Sequence, residues 1–225
     1  MFNMANISMK SSFYTKNPMK YLIFLLALAF SFQSCKKNSP DDQSGNDVKP
    51  FFNSASGSIW NYHQINSSDG TPIETDYTIT STSRDTTINN KTYHVYNYSF
   101  GGNEYLNKTN EDYYQYENFA DLGESIERLY LKGKSKVNSS WSQDFSFPIP
   151  NLPISVRFKL NNQILDIGTR VVNSTSYSDV VHVRTTITSP DIPADKLTSE
   201  IDSYYAPEYG LIENTTKVAL NYMGY

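Results

Sequence analysis

From Phe51 onward, runs of Tyr, Thr, Val, Ile and Phe are broken every few residues by Asn, Asp or Gly, a pattern that leaves few choices other than antiparallel sheet. Helical periodicity is nearly absent. In Ser155-Val156-Arg157-Phe158-Lys159-Leu160 apolar and polar residues alternate strictly, which is a strand with one buried face. Arg128 to Lys132 and Asp179 to Arg184 alternate less cleanly and read as strands covered on both sides. Turn signals recur at Asp69-Gly70, Asn89-Asn90 and Asn161-Asn162, residues that tolerate the positive φ of two-residue hairpins. The expected fold is mainly β: a single curved antiparallel sheet, closed as a half-open barrel or a sandwich, with at most one or two short helices. One such helix is expected within Pro193 to Ser199, capping an open side.

The only cysteine, Cys35, follows a short apolar run, Tyr21 to Phe32, that is preceded by Lys20. About a dozen apolar residues are too few to span a bilayer, which takes about twenty, so the run reads as the core of a cleaved signal. Phe32-Gln33-Ser34-Cys35 resembles a relaxed bacterial lipobox, in which the cysteine sulfur takes a diacylglycerol and the signal is cut before it. Two or three acyl chains, at roughly 0.8 kcal/mol per buried methylene, hold a protein on a membrane where one would not. Met19 would start a signal of ordinary length. The chain therefore divides into a signal at 1–34, a polar tether at 35–50 and one β-rich domain at 51–225.

With no second cysteine there is no disulfide framework, and stability has to come from an apolar core. Roughly 190 mature residues can bury about 70% of their unfolded surface, so that core is attainable. The formal charge of the whole chain is −4, and the signal carries three lysines and no acid, so the remainder falls to −7. An acidic domain without a basic stripe is not built for nucleic acid.

Four short patterns, Ser34-Cys35-Lys36, Gly57 to Tyr62, Tyr177 to Val183 and Tyr204 to Ile212, make the chain similar to a broad group of small, largely uncharacterised Bacteroidetes-type lipoproteins. The likeness implies an outer-membrane lipoprotein. Some proteins of this outline resemble the half-open barrels of lipoprotein-localisation factors, in which a curved sheet wraps an apolar cavity. Surface-displayed members carry acids directly after the cysteine; here Lys36 and Lys37 come first and Asp41-Asp42 later, which implies the periplasmic face. Asp85-Thr86-Thr87 matches the group's short O-glycosylation pattern, making Thr86 a candidate glycan acceptor.

No catalytic constellation is legible. There is no Gly-x-Ser-x-Gly elbow, phosphate loop or HExxH, and His63, His94 and His182 lie in separate strands without metal-ligand spacing. Asp191, Asp195, Glu200 and Asp202 lack the order of a calcium hand and read as a solvated face, as do Glu124 and Glu127. No cofactor is expected. Trp60 and Trp141 read as core anchors. The segment Phe145 to Ile154, FSFPIPNLPI, cannot be a central strand because its prolines lack amide hydrogens. It is either a crossing connection or the rim of an apolar cavity, with Phe145, Phe147, Ile149 and Leu152 against a lipid or a protein partner. Tyr113, Tyr114, Tyr116 and Phe119 are a second candidate surface, able to stack on sugars. The expected function is a non-enzymatic, membrane-anchored envelope lipoprotein binding an apolar ligand or an envelope protein; the alternative is a surface glycan-binding accessory lipoprotein. Cys35→Ser should move the protein from the membrane to the soluble fraction and abolish incorporation of labelled palmitate. Unchanged membrane retention in that variant would refute the anchor.

Overall fold

The computed structural model describes residues 36–37, 49–66, 72–119, 123–148 and 153–220. Cys35, Ile149 and Leu152 lie outside the described residues, as does the Asp69-Gly70 turn. The strands are β1 (Lys36–Lys37), β2 (Ile59–Asn66), β3 (Ile73–Ile88), β4 (Lys91–Tyr98), β5 (Asn103–Thr109), β6 (Asp112–Phe119), β7 (Glu124–Lys132), β8 (Ser140–Pro148), β9 (Ser155–Val172), β10 (Thr175–Thr188), β11 (Leu197–Ala206) and β12 (Gly210–Leu220). Within each of two sheets, every strand pairs antiparallel with its neighbours in sequence, and β7 does not pair with β8. The meander is divided into a seven-stranded sheet, β1 to β7, and a curled five-stranded half-barrel, β8 to β12.

The turns follow from local chemistry. Asn89 and Asn90, between β3 and β4, have φ of 50° and 63°, as a two-residue hairpin of the primed type requires. Asn110-Glu111 and Asn173-Ser174 do the same between β5 and β6 and between β9 and β10, again with positive φ at both residues. Asn161-Asn162 does not turn. It lies inside β9, whose inward positions Val156, Phe158, Leu160, Asn162 and Ile164 continue the alternation without a break. Asn162 sits on the buried face, and its Oδ1 accepts a hydrogen bond of 2.7 Å from Thr185 of β10. Cross-strand pairing here outweighs the residue's turn preference. The helix expected within Pro193 to Ser199 is also absent: a turn at 194–196 leads straight into β11, where Ser199 Oγ accepts from the Ile187 amide at 3.0 Å.

The less alternating strands are buried on both sides. Val180 to Val183 are all buried, with Val181 and Val183 in one cluster and Val180 in another, because the register shifts between Tyr177 and Val180. Tyr130 and Leu131 are likewise consecutive and both buried. β8 is an edge strand that pairs only with β9 and ends at Pro148, as its prolines demand.

Side chains bridge the gap between the two sheets. The Gln143 amide of β8 accepts from Leu129 N at 2.7 Å and donates to Glu127 O at 3.2 Å, filling the place of a missing strand on the β7 edge. Trp141 Nε1 donates to Leu129 O at 2.9 Å beside it. At the far edges Tyr62 Oη of β2 donates to Leu211 O of β12 at 3.1 Å. The core cluster of Tyr130, Leu131, Trp141, Ile164, Val183 and Tyr205 fills the space between the sheets. Gln143→Met keeps the volume but orphans an amide and a carbonyl, and should lower unfolding stability by about 1–3 kcal/mol in urea titrations. A loss under about 0.3 kcal/mol would show that the seam is held by apolar packing alone.

Candidate functional site

Residues 50–53 form a strap that links the tether to β2 and crosses the open end between the sheets. Glu208 N donates to Pro50 O at 2.6 Å, Phe51 N donates to Tyr113 Oη at 3.1 Å, and Tyr96 Oη donates to Asn53 O at 2.9 Å. Both Phe51 and Phe52 meet Tyr113 edge-on, with centroids 5.6 and 5.7 Å away. Two glycines allow this approach. A Cβ on Gly133 would lie 2.8 Å from the Tyr113 ring, and one on Gly210, at φ +72°, would lie 3.0 Å from Phe51 O.

Behind the strap is a cavity of about 70 Å³. Its wall is aromatic: Phe51, Phe52, Trp60, Tyr62, Tyr96, Tyr130, Tyr205 and Tyr209 all line it, with Ile79, Leu106 and Leu211. Such a volume suits a compact group and falls short of the roughly 300 Å³ that encloses a drug-sized ligand. An entire acyl chain does not fit beside the strap.

The floor is polar. Gln115 Nε2 donates to Glu104 Oε1 at 2.8 Å, Arg128 Nη2 donates to Gln115 Oε1, and Arg128 Nη2 stands 3.3 Å from Glu117 Oε1. This thread runs through β5, β6 and β7 on the inner face. The side chains of Arg128 and Glu117 keep only 12% and 11% exposure, and of the two only Arg128 lines the cavity. Burial, then the charge of Glu117, pushes Glu104 up to about 7, with Arg128 opposing. Burial also raises Glu117, again against Arg128. On the facing sheet Asn214 Nδ2 donates to Ser203 Oγ at 2.8 Å. Trp60 Nε1 is buried without a hydrogen-bond partner.

The residues singled out in the sequence are dispersed. Phe147 is 1% exposed in a core cluster with Phe119 and Phe158, Phe145 packs against that cluster, and neither lines the aromatic cavity. Trp141 is core, whereas Trp60 is both core and cavity wall. Thr86 sits half-buried in β3 opposite Tyr93, while Asp85 is held by His94 Nδ1 at 2.8 Å. Tyr113 is fully buried, Lys91 Nζ covers the Tyr114 ring at 4.4 Å, and Tyr116 packs on Tyr93 and Tyr105. Glu127 receives Lys91 Nζ at 2.6 and 2.8 Å and the Tyr93 hydroxyl.

The three histidines stay apart, each beside acids of neighbouring strands. His182 Nδ1 lies 2.7 Å from Asp166 Oδ2 and its Nε2 lies 2.8 Å from Asp202 Oδ1, which leaves neither nitrogen for a base or metal role. Among the described residues no group of three or more His, Cys, Asp or Glu side chains is arranged to hold a metal. Asp191 is gripped by Arg157 through its backbone N, Nε and Nη2, and these bonds lower it to about 2.

Glu104, Gln115, Glu117 and Arg128 carried no motif and sit in tyrosine-rich strands. The available signal was polar residues at the inward parity of β6, where Tyr113, Gln115, Glu117 and Phe119 share one face. Compared with protein families, curated proteins and solved structures, the chain matches none.

Because the folded state holds the Glu104 proton to about pH 7 and the unfolded chain releases it near 4.5, the folded state binds more protons between those values. Stability from this group is therefore greatest below about pH 4.5 and declines as pH rises toward 7 and beyond, by up to about 3 kcal/mol. Glu104→Gln should flatten that decline in thermal melts between pH 5 and 8. An identical decline in the variant would place its origin elsewhere.

Proposed function

We propose that this chain is a non-enzymatic, lipid-anchored protein of the bacterial cell envelope, tethered through Cys35 on the periplasmic face of the outer membrane, and that it binds the apolar part of a small ligand. The aromatic cavity carries the reading: a concave space walled by rings, with convergent polar groups, is the usual form of a small-molecule site. The polar tether leads in sequence into the strap that covers this cavity, so residues 36–49 join the anchored end to the site. A strap held by edge-on rings and three backbone hydrogen bonds can yield to a larger ligand, at a cost of roughly 0.5–1.5 kcal/mol for each contact released. Each histidine has a carboxylate of a neighbouring strand on one ring nitrogen, and His94 Nε2 lies 2.8 Å from Ser81 Oγ.

The processed protein, extracted from its own host in mild detergent and examined by native mass spectrometry, should carry a bound small molecule recoverable by organic extraction. Phe52→Trp, which enlarges the strap's ring, should reduce the fraction loaded. A clean apo mass for the wild type under gentle conditions would count against a ligand-binding role.

A further inference from the structure

Both described ends of the tether are fastened to the domain. Lys36 and Lys37 form β1, which pairs antiparallel with the β2 edge opposite Asn61 and Trp60, and Lys49 Nζ stands 2.8 Å from Glu208 Oε2. Cys35, the expected site of acylation, directly precedes Lys36 in the chain, one Cα step of about 3.8 Å from a residue held in the sheet. Acyl chains on that residue therefore start beside the β2 edge. Because β1 runs antiparallel to β2, its N-terminal side points toward the end of β2, where the strand leads into β3.

The β2–β3 pair carries charge on one face only at this end. Cross-strand partners share a face, so His63 with Asp76 and Ile65 with Glu74 take the outer side, whereas Tyr62 with Tyr77, Gln64 with Thr75 and Asn66 with Ile73 continue the side that lines the core. The β4–β5 turn lies at the same end, since strands of a meander alternate in direction, and it sets Phe100 against Tyr77 and Tyr98 with centroids 5.6 and 5.0 Å away. Phe100 and Ile73 are 69% and 62% exposed on this uncharged side. A surface entered by the acyl chains passes the β2 edge, and β4 lies three strand spacings from β1, about 15 Å across the sheet. Apolar side chains carried to such a surface seat about 5–10 Å into the boundary between headgroups and acyl chains.

We propose that the uncharged side of the β2–β3 pair, with the β4–β5 turn, rests on the membrane that holds the anchor, placing Phe100 and Ile73 in the headgroup–acyl boundary and leaving His63, Glu74 and Asp76 on the side turned to water. The proposal rests on the reading of Cys35 as acylated and goes beyond it in naming the face of the domain that meets the bilayer. The domain is seated on the surface and is not lifted from it by the tether.

Tryptophan quenching on the processed protein from its own host, reconstituted in phosphatidylcholine vesicles, tests the seating. The native Trp60 and Trp141 are buried and supply the background. Emission added by Phe100→Trp or by Ile73→Trp should shift to the blue in vesicles and be lost when the lipid is brominated in its acyl chains. Emission added by Val171→Trp, at an exposed position on the outer side of β9, should persist in both lipids. Equal quenching at all three positions would overturn the assignment of this face. So would the absence of quenching at 100 and 73 in protein that floats with the vesicles and has the mass of the acylated chain, and that result would leave the anchor in place. A mass without acyl groups, together with no flotation, would overturn the anchor reading and this inference with it.

Discussion

Gln143 spans a gap that backbone pairing leaves open. An antiparallel meander of this length has to curl, split or aggregate at its edges, and this chain splits between β7 and β8. One amide side chain then satisfies a donor and an acceptor of the exposed β7 edge, and Trp141 satisfies another carbonyl. With the sheets joined there, their opposite ends are free to diverge, and Tyr62 with the Phe51-Phe52 strap brings them back into contact. The cavity is the space left between a seam that is tight and an end that is only strapped.

Polar groups would be costly in such a space unless paired. The Glu104–Gln115–Arg128–Glu117 thread meets part of that requirement through hydrogen bonds and one ion pair, and the Glu117 carboxylate oxygens and Trp60 Nε1 stay buried without a hydrogen-bond partner. Burial lifts Glu104 to about 7. The outer faces show the opposite solution: His182 between Asp166 and Asp202, and Glu127 beneath Lys91 and Tyr93, are closed networks in which each charge is answered by a neighbour. Those networks brace the sheets and leave little for a ligand to do.

Strand type and parity were readable because alternation is a local property. Val156, Phe158 and Leu160 face inward as their spacing implies, and Asn89-Asn90 turns because two positive φ values are cheap for Asn. The same reasoning failed at Asn161-Asn162, where the ladder to β10 supplies partners that no local signal reveals. The proline-rich segment could be read as a packed crossing connection or as a ligand rim; Phe147 is covered by Phe119, which is distant in the chain. The Asn110-Glu111 turn was hidden by a residue type that seldom takes positive φ, here steadied by a Lys108 ion pair at 2.9 Å and by the Gly133 amide donating to Glu111 O at 2.8 Å.

The sequence by itself determined that the domain is an acidic, disulfide-free antiparallel β structure, because composition, alternation and turn chemistry act within a few residues of one another. Where the meander would break, which tyrosines would be walls and which surface, and that Glu104 and Arg128 would face one cavity were decided only by the tertiary structure. The reason is physical: burial and charge compensation depend on residues brought together from β2, β5, β6, β7 and β11, and strand parity says which face a side chain takes without saying what waits on the other side.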